Sequence, residues 1–195
     1  MDVKQLLLIS GGIDSVSIAI THQPKFALIV DYGHKAFLGE LASSKYFCTK
    51  NKISLHTIKL DLSSLGQGSL FSGAEDESDH FAFRNQFLLT VGCMKAVDLG
   101  CDELLIGAVR DDVNYSDCSS EFLQYFQSLV SIQAGGVAVR TPLIDYTSEK
   151  ALKQTSILYP EALNTFSCHI SPVPCGVCRG CKKRLGVLFS VYGTI

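Results

Sequence analysis

Short apolar runs alternate with amphipathic stretches through the first two-thirds of the chain. Gln5–Ser10 and Phe26–Asp31 (FALIVD) read as strands, the second buried on both faces and ending in an acid. Leu55–Leu60, Glu103–Gly107 and Val137–Arg140 supply three more. Asp14–Thr21, Leu38–Lys50, Asn85–Leu99, Ser119–Ile132 and Ser148–Leu158 read as helices between and after them. The clearest is Ser119–Ile132, where Phe122, Phe126, Leu129 and Val130 fall at i, i+4, i+7 and i+8. This alternation predicts an α/β fold with a mainly parallel, doubly wound sheet covered on both faces. Right-handed crossovers gather the loops after the strands at one edge, where ligands bind. Those loops begin at Ser10, Asp31, Asp61, Gly107 and Arg140.

Two segments break the rhythm. Leu62–Asp79 is rich in Ser and Gly, ends in an acidic run and has no apolar period. It reads either as a solvated, mobile surface loop or as a lid over a ligand. Beyond Phe166 the chain is rich in cysteine. The expected organisation is therefore an α/β unit over residues 1–165 with a four-cysteine appendage, 166–195, packed on it.

The candidate chemistry begins at Leu6–Ser15, where an apolar run ends in Gly11-Gly12, then an acid, then a fresh apolar pattern. That is a strand, a tight turn and a helix start. Glycines let backbone approach a ligand, and a helix start aims N–H groups at it, which suits phosphate. The lysine of a Walker A loop is missing, so this is not the ordinary NTPase cradle. The structural alternative is a helix start capped by Asp14 or Ser15.

Charge and composition narrow the partners. The 195 residues carry a formal net charge of -2 and no basic stripe, which disfavours nucleic acid. No apolar run approaches a membrane span, the first residues lack a signal-peptide pattern, and the chain reads as cytoplasmic. A cytosolic chain seldom uses clustered cysteines for disulfides. Cys168, Cys175, Cys178 and Cys181 follow with six, two and two residues between them, the spacing of a closed, structural zinc site. Arg179, Lys182, Lys183 and Arg184 would offset its thiolate charge. An iron–sulfur cluster is the rival, because Cys-x2-Cys-x2-Cys also opens ferredoxin-type spacings.

SGGIDS resembles the signature of PP-loop ATP pyrophosphatases. Together with SCHISPVPCGVCRGCKKR it resembles the QueC family, the 7-cyano-7-deazaguanine (preQ0) synthases. Asp31-Tyr32-Gly33, Arg84-Asn85, Tyr115-Ser116-Asp117-Cys118 and Thr141-Pro142-Leu143 are similar to further family segments in the same order. The resemblance implies ATP bound with Mg²⁺ along Ile9, Ser10, Gly11, Gly12, Ile13, Asp14, Ser15, Val16, Ser17, Ile18 and Ala19. It implies adenylation of the carboxylate of 7-carboxy-7-deazaguanine and capture by ammonia, with Asp14, Ser15 and Lys35 as catalytic candidates. Arg84, Asn85, Asp112, Tyr115 and Asp117 become substrate-binding candidates, and a homodimer is expected.

The chain departs from the family at YGQ-[RK]-H-x-x-E, which here reads Tyr32-Gly33-His34-Lys35-Ala36 with Glu40 one position late. His34 is a candidate base, although a lone loop histidine is more often structural. The departures motivate an alternative: a ligase that stops at the amide and joins the deazaguanine to another amine, such as a protein N-terminus in an antiviral defence cluster. A tRNA-thiolating PP-loop enzyme is a third reading, disfavoured by the near-neutral charge.

Overall fold

The computed structural model describes residues 3–74, 78–112, 116–133 and 136–193. Five strands, β1 (Gln5–Leu8), β2 (Phe26–Asp31), β3 (Ser54–Lys59), β4 (Glu103–Leu105) and β5 (Ala138–Arg140), form one sheet in the order β3-β2-β1-β4-β5. Every pairing is parallel, with Leu6 opposite Phe26 on one side and Leu104 on the other. The mainly parallel, doubly wound α/β sheet read from the sequence is therefore present.

Strand side chains alternate between faces, so the apolar runs feed two cores. Leu6, Leu28, Val30 and Leu104 pack under α4 (Arg84–Asp98) and α5 (Ser120–Ser131). Leu7, Ala27, Ile29 and Leu105 pack under α1 (Ile13–His22), α2 (Phe37–Lys50) and α6 (Ser148–Thr155). β1 and β4 end two residues earlier than the sequence suggested. Their ladders nevertheless run on, with Ile9 N–H donating to Leu28 O at 2.9 Å and Ile106 N–H to Arg140 O at 3.0 Å.

Three helices were not read from the sequence: α3 (Ser69–Ser72), α7 (Tyr159–Ala162) and α8 (Arg179–Tyr192). Within Leu62–Asp79, α3 buries Leu70, and its Phe71 ring stands edge-on to Phe81 with centroids 5.2 Å apart. The Lys35 N–H donates to Leu70 O at 2.8 Å. That part of the segment is packed rather than solvated, because apolar side chains too few to show a period still find a shared pocket. Its Glu75, Asp76 and Glu77 lie outside the described residues. α8 packs beside α6, with Leu188 fully buried in a cluster with Ile13, Leu152 and Ala162. No helix among the described residues is long and apolar enough to cross a membrane.

α5 begins at Ser119, whose hydroxyl accepts the Phe122 N–H at 3.1 Å. Removing an N-cap acceptor costs about 1 kcal/mol. Ser119→Ala is expected to lower the melting midpoint by roughly 2–4 °C in a domain of this size, as read by differential scanning calorimetry.

The sheet order places a switch point beside β1. The chain leaves β1 through α1 on one face, whereas α4, on the other face, leads into β4 next to β1. The loops after β1 and β4 therefore part, and a crevice opens between them at the carboxyl ends of the strands.

Candidate active site and cysteine cluster

The crevice is a cavity of about 370 Å³. Its walls include Ser10, Gly12, Ile13, Asp14 and Ser15 from the first turn, and Ile106–Ala108 from the loop after β4. The turn is built by its own hydrogen bonds. Ser10 N–H donates to Ser15 Oγ at 3.3 Å, and Ser15 Oγ donates to Gly12 O at 3.2 Å. Gly11 adopts a φ of 72°, and a side chain there would strike Ser43 Cβ at 2.6 Å. The Gly11 carbonyl accepts both Ser43 Oγ and the Phe166 N–H, each at 2.8 Å. Gly107 lies so close that an added Cβ would sit 3.0 Å from Ser15 N. Gly12 is the N-cap of α1, and no side chain caps that start. Such a start offers its first N–H groups to an anion.

The sequence candidates sort by position. Asp14, Ser15, Ser10, Gly12, Ile13 and Ile9 line the cavity. Gly11 shapes the turn from behind it, while Val16, Ser17, Ile18 and Ala19 are buried along α1. Lys35 is exposed and stands off the cavity wall. Arg84, Asn85 and Asp117 line the cavity from α4 and from the short turn Ser116–Cys118. Asn85 Nδ2 donates to Cys118 Sγ at 2.9 Å and so ties that turn to α4. Tyr115 and the Asp112 side chain lie outside the described residues.

Sequence reasoning did not assign Tyr32, Glu40, Asp79 or His169 to this cavity, yet all four line it. His34, the candidate base, lies behind the wall. It is 4% exposed and stacks on Tyr32 with centroids 3.8 Å apart, and its Nε2 lies 3.0 Å from Glu40 Oε2. It positions Glu40 and does not face the cavity itself. Burial pushes the Tyr32 hydroxyl well above its ordinary value, the Glu40 carboxylate adds to this, and Arg84 opposes it. His169 Nδ1 lies 2.9 Å from Asp79 Oδ2, so the segment after α3 reaches the cysteine region. Burial holds the His169 imidazole below its ordinary value, against the pull of Asp79.

The Sγ atoms of Cys168, Cys175, Cys178 and Cys181 all lie within 4.8 Å of one another. The Cys175–Cys181 and Cys168–Cys178 pairs are each at 3.9 Å. Cys178 N–H donates to Cys175 Sγ at 3.3 Å and Cys181 N–H to Cys178 Sγ at 3.4 Å. Burial opposes ionisation at Cys175, but the N–H groups of Cys178 and Val177 outweigh it and draw the thiol down to about 7. Burial pushes Cys181 up to about 12. Four converging sulfurs with N–H donors turned toward them form a donor set fit for a metal. Cys178 also caps α8, so the cluster fixes where that helix begins.

Fold and crevice define an α/β protein of the PP-loop type. In sequence, the family described as "Queuosine biosynthesis protein QueC" matches residues 4–191, and the chain belongs to that family. A 7-cyano-7-deazaguanine synthase of Nitrosospira multiformis is 28% identical over 93% of this chain and 89% of its own. The synthase of that name from Chlorobaculum parvum is 28% identical over 97% and 93%. Among solved structures, the U34-tRNA thiolase NcsA from Methanococcus maripaludis, determined with its 4Fe-4S cluster, aligns with a TM-score of 0.58 at 20% identity. That alignment covers 96% of this chain but only 63% of the thiolase, and it shows the fold alone.

Proposed function

We propose that the protein is an ATP-dependent ligase that activates the carboxylate of 7-carboxy-7-deazaguanine and delivers it to nitrogen, giving 7-cyano-7-deazaguanine when the nitrogen is ammonia. One observation carries this reading: a single cavity joins the Ser10–Ser15 turn to Arg84, Asn85 and Asp117. ATP phosphates at the helix start and a purine-like acid beyond them would then share one wall.

A carboxylate is a poor electrophile until one oxygen becomes part of a leaving group. Its oxygen bonds to the α-phosphorus, the bond to pyrophosphate breaks, and an acyl adenylate forms. Ammonia then displaces AMP and leaves the amide. A second adenylation, on the amide oxygen, allows loss of AMP to the nitrile. The protein's part is positioning and charge stabilisation. The α1 start and Ser10–Ser15 would hold phosphate, and Asp14 would be the acid that organises Mg²⁺, which would draw charge from the pyrophosphate. An Asp117 carboxylate can accept two parallel hydrogen bonds from a guanine-like edge.

For the cysteine cluster we favour one structural zinc ion. Zn–S bonds of about 2.3 Å place tetrahedral sulfurs about 3.8 Å apart, close to the 3.9 Å of two pairs here. A four-iron cluster seats each thiolate on a separate iron and spreads the sulfurs wider.

The test incubates purified protein with ATP, Mg²⁺, 7-carboxy-7-deazaguanine and ammonia and follows product mass. Nitrile with AMP is the expected result. AMP with only amide or adenylate would move the assignment to the amide-stage ligase. No AMP with this substrate would remove both.

A further inference from the structure

The Ser10–Ser15 turn contains no lysine, so the charge gathering on departing pyrophosphate has to be met from outside it. Three cations of α8 line the same cavity: Arg179, Lys183 and Arg184. Arg179 and Lys183 stand four residues apart, on one face of the helix, and both line the wall that the turn lines. Lys183 Nζ lies 3.8 Å from Asp14 Oδ2. The other basic residues of this stretch do different work. Arg184, though also on the cavity wall, is buried, and its guanidinium donates to Thr165 Oγ1 at 2.9 Å and to Leu163 O at 2.7 Å. Lys182 is exposed and off the cavity wall. Of the four cations that the sequence set beside the thiolates, Lys182 stands off the wall and Arg184 is committed to Thr165 and Leu163, which leaves Arg179 and Lys183 as the pair that can turn to a ligand.

We propose that Arg179 and Lys183 form a phosphate clamp on the ATP site and supply the positive charge that a Walker loop takes from its own lysine. The inference rests on the ATP-using reading above. As the carboxylate oxygen bonds to the α-phosphorus and the bond to pyrophosphate breaks, the electron pair moves onto pyrophosphate oxygens, which the two cations hold. Asp14 keeps the ammonium at the mouth of the turn beforehand. Its pair with Lys183 is long and part-exposed, and such pairs are weak. The helix is aimed from both ends. Cys178 caps its start, with its Sγ accepting the Cys181 N–H, and Leu188 packs against Ile13 of α1 and Leu152 of α6. The cysteine cluster therefore acts on chemistry through α8, as a positioning element, while Arg179 and Lys183 touch the ligand.

The test is isothermal titration of the full chain with ATP, inorganic pyrophosphate and adenosine in turn. Lys183→Gln is expected to weaken ATP and pyrophosphate about tenfold or more, the scale of a lost charge-assisted contact. Arg179→Gln should act in the same direction, adenosine affinity should hold, and Lys183→Arg should recover most of the loss. Lys182→Gln should stay within about twofold of the parent, since only the face of α8 differs. Matching thermal melts would show that the variants fold. If Lys183→Gln and Arg179→Gln bind ATP and pyrophosphate as the parent does, the clamp is wrong and the ATP-using reading stands. If the parent binds neither ATP nor pyrophosphate, that reading falls and the clamp with it.

Discussion

Asp14→Ala is expected to lower AMP formation by about 10²–10³-fold while the protein stays folded. That is the scale on which one preorganised electrostatic group at a developing charge acts, about 3–4 kcal/mol in the barrier. Asp14 sits in the first turn of α1, lines the cavity and lies 3.8 Å from Lys183. Its contribution to the fold is smaller. An acid in the first turn of a helix stabilises it by about 0.3–1 kcal/mol, which moves the melting midpoint by only a few degrees. The two magnitudes separate a functional role from a structural one. Quantifying AMP by chromatography beside a thermal melt would read both. Turnover retained in the alanine variant would take Asp14 out of the site.

Cys181→Ala is expected to cost the metal and much of the stability together. The side chain is 3% exposed and belongs to the four-sulfur group beneath the start of α8. A structural zinc contributes roughly 10–16 kcal/mol of binding energy that is also folding energy. Losing even about 4 kcal/mol of it would lower the midpoint by ~8–16 °C in a domain of this size. Metal analysis should find one zinc per parent chain, no visible absorbance, and little metal in the variant. Cys93→Ala is the comparison, since Cys93 is half-buried in α4 and packs against the sheet core. A Cys181→Ala protein that keeps zinc and melts like the parent would show that the cluster is not a metal centre.

The sheet was legible because its information is local. Leu6-Leu7-Leu8 and FALIVD are too short for helices and too apolar for a surface, and neighbouring residues in them serve opposite cores. The Gly11-Gly12 turn was legible for the same reason, since six consecutive residues carry its local hydrogen bonds. α8 was within reach too. Arg184, Val187, Leu188, Val191 and Tyr192 keep helical spacing, but the adjacent cysteines drew the reading toward a metal-binding appendage. α3 and α7 are four residues each, too short to show a period.

The rest of the cavity wall depends on tertiary placement. Nothing in the sequence around His34 says that it stacks on Tyr32 and lends its ring to Glu40. Nothing near Asp79 announces His169, ninety residues later. Arg179 and Lys183 read as companions of the thiolates because they are adjacent in the chain. Only the packing of α8 on α6 and α1 shows that one helix face looks away from the sulfurs.

The Gly11 carbonyl, held by Ser43 and by the Phe166 N–H, has a consequence for the order in which the protein matures. The partner that completes the Gly-Gly turn is made some 155 residues after it. Until Phe166 and the cysteines beyond it have emerged and docked, the nascent chain can pair its early strands without a finished turn. Contacts that span so much sequence form slowly, because the intervening chain has to be ordered first. A chain stalled or clipped before Phe166 is then expected to carry the Gly-Gly motif without its complete geometry.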